Sequence, residues 1–411
     1  MSFRTLLGQP NFRWLWIGQI CSQLGDRLTQ MILIAIVGAR APGSTLALST
    51  MMAWTVIPAF VVSPVAGAYV DRWDRRRTML VCDVARGAAV LVLPLLVRQA
   101  AMAPTYLLVF LLFAIACFFL PARLALMPAL VDARTLVAAN SLMTTSGMIG
   151  ATTSMLAGGL LVEHWGVAAS CGMATASYLA SAACVLLVRP PPAPATPPTT
   201  RSRTLFSEIR EGVVYAFGQP HAQFVLGVLF LLTGASGAIF VVATVIVQQA
   251  LGSVTRDLGI YSVTVGLGLF LGTVLYGKLG QRWHKPSMIL WCLTASGLCL
   301  LGFAWGVGGH HLRWAGWVAT VALGLVVAPI GSAVNAMIHE LVQGRLWGRV
   351  FSAMGIVMNA ALLVGLWAAG VAAEQITPLG TLVVVSGLLS VAGLVGLLRA
   401  RGRPPRVIIM S

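Results

Sequence analysis

Asp26 is the residue in this sequence with the clearest capacity for chemistry. It sits near the middle of an apolar run at about residues 14–38, with Gln19, Gln23 and Gln30 around it at spacings of 4, 3 and 4. A helix of 3.6 residues per turn puts these four on one face, with Ser22, Arg27 and Thr29 at its margins. A carboxylate inside an apolar helix is costly unless it meets water or a partner. Asp26 is therefore a candidate for binding a proton or a cation in a water-accessible cavity, and Arg27 for meeting an anionic group of a substrate. The same stripe also fits a polar network that locks this helix to a neighbour. Asp26 would then pair with a residue other than Arg27, because adjacent helical residues do not face each other. Asn359, in a later apolar run, is a further cavity candidate that could equally bond between helices. Asp83 and Arg86, three residues apart, read as a structural ion pair along one helix face.

A second constellation is Gly67-Ala68-Tyr69-Val70-Asp71-Arg72-Trp73-Asp74-Arg75-Arg76-Arg77. Asp71 ends an apolar run, where a carboxylate can cap the free N–H groups of a neighbouring helix in one conformation and release them in another. Clustered arginines engage lipid phosphates and keep such a turn on one side of a membrane. Other chemistries find no support. The seven cysteines lie in apolar runs without metal-ligand spacing, the His310-His311 pair lacks a third ligand, and the remaining histidines have no hydrolase-type neighbours. There is no G-x-x-x-x-G-K-S/T loop for a nucleotide. No metal, no cofactor and no enzymatic activity are expected.

The elements that must position these residues follow from composition. Of the 411 residues, 58% are hydrophobic and only 9% charged, whereas a soluble surface needs roughly a quarter charged. A net charge of +16 would suggest a nucleic-acid partner in a soluble chain. Here its placement points to membrane lipids instead. Apolar runs of spanning length recur at about 14–38, 46–70, 78–98, 105–127, 139–163 and 167–188, then at 221–250, 257–279, 287–307, 315–338, 350–373 and 378–398. The expected fold is all-α, with twelve transmembrane helices in two six-helix bundles. The bundles are residues 1–188 and 221–398, and a cytoplasmic tail covers 399–411. Between them, 189–220 form a linker whose proline tract, Pro190 to Pro198, cannot span as a helix. Residues 204–217 read as a short amphipathic helix at the interface.

Arg40, Arg98, Arg256 and Arg313 fall on one side, Arg27 and Arg86 lie within spans, and the other 21 of the 27 basic residues fall on the opposite side. Positive charge collects in the cytoplasm, so both termini and the linker are expected there, in a bacterial-type inner membrane. The first run lacks a signal-peptide cleavage pattern and is expected to stay as the first span. The halves also repeat: Val70-Asp71-Arg72-Trp73 answers Gly280-Gln281-Arg282-Trp283, and Leu130-Val131 answers Leu341-Val342. A duplicated six-helix unit in a membrane encloses a path at the repeat interface, which implies a transporter.

The stretch from Gly67 to Arg77 resembles motif A of the major facilitator superfamily, G-x-x-x-D-R-x-G-R-R-R/K, matched at Gly67, Asp71, Arg72, Arg75, Arg76 and Arg77. Asp74 stands where the family usually has Gly. Gly25-Asp26-Arg27, Pro121-Ala122-Arg123, Pro128-Ala129-Leu130-Val131 and Ala139-Asn140-Ser141 resemble the macrolide-efflux and enterobactin-exporter branch. One feature departs from many exporters: Gly158-Gly159 follow Ser154-Met155 rather than the Gly-Pro of a G-P-x-x-G-G motif.

The resemblance implies alternating access driven by the proton gradient, export as the usual direction, and protons and a small amphipathic compound as partners. It also implies that Asp71 bridges to the start of a second-half helix near Val350 and Phe351, with Arg72 and Arg76 completing the network. Arg75 and Arg77 are assigned to topology. A monomer is expected. The alternatives are a lysophospholipid or lipid flippase of the same fold and, in another class, a non-transporting membrane sensor or scaffold.

Overall fold

The computed structural model describes residues 6–70, 72–98, 102–132, 134–190, 220–280, 283–341 and 347–401. Its helices are α1 (Pro10–Arg40), α2 (Thr45–Val61), α3 (Ser63–Val70), α4 (Arg75–Arg98), α5 (Met102–Leu126), α6 (Leu136–Leu187), α7 (Pro220–Leu251), α8 (Arg256–Leu279), α9 (Lys285–Phe303), α10 (Arg313–Leu341), α11 (Trp347–Ile376) and α12 (Pro378–Arg401). Strands are absent among the described residues. Asp71, most of the linker with its amphipathic segment, and the end of the tail lie outside the described residues.

Among the described residues, ten helices are long and apolar enough to cross a membrane. One of them, α6, is two spans: it reverses at Gly166, whose φ of 75° and ψ of 176° suit a residue without a Cβ. The run expected at 46–70 is a single span divided between α2 and α3 at Val62, because Pro58 and Pro64 withhold the N–H groups that would continue the ladder. The described residues thus hold twelve spans, as the hydropathy pattern predicts.

Starts are set locally. Ser44 Oγ accepts the Ala47 N–H at 3.2 Å and opens α2. Asp74 Oδ1 accepts the Arg77 N–H at 2.8 Å and opens α4. The departure from motif A at position 74 therefore supplies an N-cap.

The chain divides into two compact units, Met1–Glu208 with Ser253–Val263, and Ile209–Gly252 with Thr264–Ser411. In the first, α1 packs along α6, α4 packs on α5 and α6, and α2 packs on α5. Phe12, Leu15, Met79, Ala122, Met127 and Val185 form a buried cluster there. Asn11 closes this unit by exchanging two hydrogen bonds of 2.9 Å with the Arg189 backbone. In the second, α7 packs on α11, and α9 on α10 and α12, around Val225, Ile289, Ile330 and Val334. Spans one, three and four of the first unit thus find the partners that spans seven, nine and ten find in the second. That is the packing a duplicated unit requires.

Candidate functional site: a buried arginine shared by two carboxylates

Asp26 lies in the middle of α1, and its partners come from α4 and the second arm of α6. Arg86 Nη1 donates to Asp26 Oδ1 at 2.8 Å. Its Nη2 donates to Asp83 Oδ1 and, at 2.8 Å, to Ser22 Oγ, while Nε donates to the Cys82 carbonyl at 3.3 Å. Tyr178 OH donates to the same Asp26 oxygen at 2.8 Å. Asp83 is completed by Ser22 Oγ at 3.2 Å and Ser181 Oγ at 2.6 Å. The Arg86 guanidinium also lies 4.7 Å from the Tyr178 ring centre and 4.9 Å from that of Phe119, within cation–π range.

Close approach makes this possible. A Cβ on Gly25 would stand 2.9 Å from the Tyr178 ring, so glycine there lets α1 settle on α6.

The three charged side chains carry one surplus negative charge. Arg86 is 1% exposed and Asp83 0%, whereas the Asp26 side chain is 38% exposed. Asp83 is thus enclosed by donors, whereas Asp26 is left uncovered on one side. Both donors to Asp26 fall on Oδ1. Its second oxygen has no protein donor among the described residues.

The stripe predicted on α1 does not share one environment. Gln19 and Gln23 pack against Gly147 and Gly150 on the first arm of α6, and Gln19 Nε2 donates to the Met143 carbonyl at 3.4 Å. Gln30 instead accepts from Arg27 Nη1 at 2.9 Å. Asn359 is half-buried on α11, in the second unit. The ion pair expected between Asp83 and Arg86 forms, but Asp26 is its third member. The arginine was legible as a mid-span charge; Tyr178, an aromatic residue among many, carried no signal.

At the motif A turn, Gly67 is half-buried on α3 with open space where a Cβ would stand. Arg72 is exposed, and its N–H donates to the Tyr69 carbonyl at 3.0 Å. Arg76 ties α4 to the end of α6 through the Val185 and Leu186 carbonyls. Arg75 is more than a topology signal, since it donates to the Ala125 carbonyl at the end of α5 at 3.0 Å. Cations at helix C-termini meet unsatisfied carbonyls and the negative end of the dipole. The expected bridge from Asp71 to Val350 and Phe351 lies outside the described residues and side chains.

Similar proteins were found by sequence and by fold. The enterobactin exporter EntS of Shigella boydii is 27% identical over 85% of this chain and 83% of its own length. The macrolide efflux protein A of Streptococcus pyogenes is 24% identical over 89% and 90%. Among solved structures, a bacterial homologue of the iron transporter ferroportin in an inward-facing state superposes with a TM-score of 0.73 at 13% identity, covering 97% of this chain and 100% of that one. The POT family transporter PepTSo gives the same TM-score at 13% identity over 96% and 98%. Twelve spans in two matching units, a charged turn after the second span, and a match to the Major Facilitator Superfamily over residues 15–252 and 224–408 together make this chain a member of that superfamily.

Proposed function

We propose that this transporter exports a small amphipathic compound, of the drug, macrolide or siderophore class, in exchange for protons. Asp26 is the group that takes the proton, and alternating access is the mechanism. The observation that carries the reading is the asymmetry of the two carboxylates on Arg86: Asp83 is sealed, while Asp26 is open on one side. A carboxylate with a free oxygen can bind a proton without dismantling the buried pair beneath it. The names of the relatives, an enterobactin exporter and a macrolide efflux protein, support export and the substrate class.

In this reading Arg27, held by Gln30, meets an anionic substrate group. Gln23 and Asn359, both half-buried, supply hydrogen bonds, while Gln19, buried against α6, holds α1 in place, and the motif A turn with Gly67, Asp71, Arg72 and Arg76 gates the cytoplasmic side.

The test is transport into proteoliposomes under an imposed pH gradient, with macrolides, siderophores and lysolipids as trial compounds. Asp26→Asn keeps the acceptor for Arg86 and Tyr178, so the variant is expected to insert and fold but to lose the response to the gradient. An unchanged response at equal protein content would reject the assignment. A lipid flippase is the second reading, favoured by the half-buried Arg27 cation, which suits a phosphorylated headgroup. Lysophospholipid movement that ignores the gradient would select it.

A further inference from the structure

Glu163, which the sequence offers only as a charge at the end of a span, reaches the start of α8. Its Oε2 accepts from Ser253 Oγ at 3.0 Å, the Thr255 N–H at 3.1 Å and the Arg256 N–H at 2.9 Å. Ser253 Oγ in turn accepts the Asp257 N–H at 3.0 Å. Thr255 Oγ1 donates to the Gly159 carbonyl at 2.8 Å, and Ser262 Oγ to Met155 Sδ at 3.2 Å. The backbones touch as well: a Cβ on Gly159 would stand 2.5 Å from the Thr255 carbonyl oxygen, and one on Gly259 would stand 2.7 Å from the Leu156 Cα.

This contact differs in kind from the sealed group around Asp83. Glu163 is half-buried, and the N–H groups it satisfies belong to the first turn of a helix, where water can replace a protein acceptor. At Gly159 and Gly259 the two backbones meet directly, with no room for a Cβ. In addition, Ser253–Val263 group with the first unit and the rest of α8, from Thr264, with the second. The first two turns of α8 thus pack as part of the first unit.

We propose that Glu163 is the latch of a releasable clasp, closed in this structure, that holds the first two turns of α8 to the first arm of α6 and opens once in each transport cycle. Its purpose rests on the alternating-access reading above. Its test needs no substrate, so a failed transport assay and a failed clasp are distinguishable.

Nitroxide labels on cysteines placed at the exposed Trp165 and Val254 positions flank the clasp. They are introduced with the seven native cysteines replaced, and each variant is checked for a monodisperse profile. Pulsed electron resonance in nanodiscs is expected to give a short and a long separation in the otherwise unaltered protein. Glu163→Ala removes charge-assisted bonds and should raise the long-to-short ratio roughly tenfold or more, with Glu163→Gln between. Gly159→Ala acts by sterics alone and should move the ratio the same way. A single separation shared by the parent and all variants would overturn the proposal. So would a shift in the Glu163 variants without one in Gly159→Ala, or the reverse, because one closure would then not account for both contacts.

Discussion

Arg86 divides its fork between Asp26, Asp83 and Ser22 while its flat face lies against the Phe119 and Tyr178 rings. A lysine cannot reproduce that geometry, having one point charge and no plane to stack. Arg86→Met leaves the Asp83 carboxylate enclosed and uncompensated, for which the expected loss is about 3–5 kcal/mol. It would be read as a lowered melting temperature in detergent. Adding Asp83→Leu removes the stranded charge, so the double variant should melt above Arg86→Met alone. A double variant no more stable than the single would show that the Asp83 charge is not what makes the loss large. At this scale the sequence was readable in part. Charges in mid-span declare themselves by their cost, which is why Asp26, Asp83 and Arg86 stood out. That one arginine would serve both carboxylates depends on three helices meeting, and no local spacing encodes it. Glu163 carries no such signal, because a carboxylate at a span end is ordinarily solvated.

At the scale of elements, α1 owes its position to the absence of side chain at Gly25 as much as to the charges beside it. Gly25→Ala puts a methyl group 2.9 Å from the Tyr178 ring carbons. The ring has to shift, and overpacking of this kind costs about 1–3 kcal/mol. Because Tyr178 OH donates to Asp26, the shift should also weaken transport under a pH gradient, whereas Gly67→Ala, which meets open space, should leave stability unchanged. Equal melting temperatures for parent and Gly25→Ala would contradict this account. Element boundaries were visible in the sequence wherever proline, glycine or a polar cap interrupts a run. The division of the second span at Val62 leaves no mark in hydropathy, which averages over Pro58 and Pro64 without registering the lost N–H groups. The stripe of Gln19, Gln23, Asp26 and Gln30 illustrates the opposite case: periodicity gave the shared face, but not that different neighbours cover its two ends.

For the whole molecule, the basic residues carry the orientation. With 21 of the 27 expected on one side, a reporter that is active only in the cytoplasm should function when fused to the C-terminus, and a periplasm-specific one should not. The reverse pattern would overturn the assigned orientation. The twelve-span architecture was legible because a bilayer imposes a fixed length and apolar content on every crossing. The packing partners of the two units were legible only as a repeat of short motifs, yet they turn out equivalent.

The paired bonds between Asn11 and the Arg189 backbone join the head of the first helix to the residue just beyond the sixth crossing. During synthesis both ends are available as soon as position 189 leaves the ribosome, long before the remaining spans exist. Early helices can therefore be gathered into a closed ring of neighbours while translation continues. The later spans then enter the lipid after the first six have already found their partners.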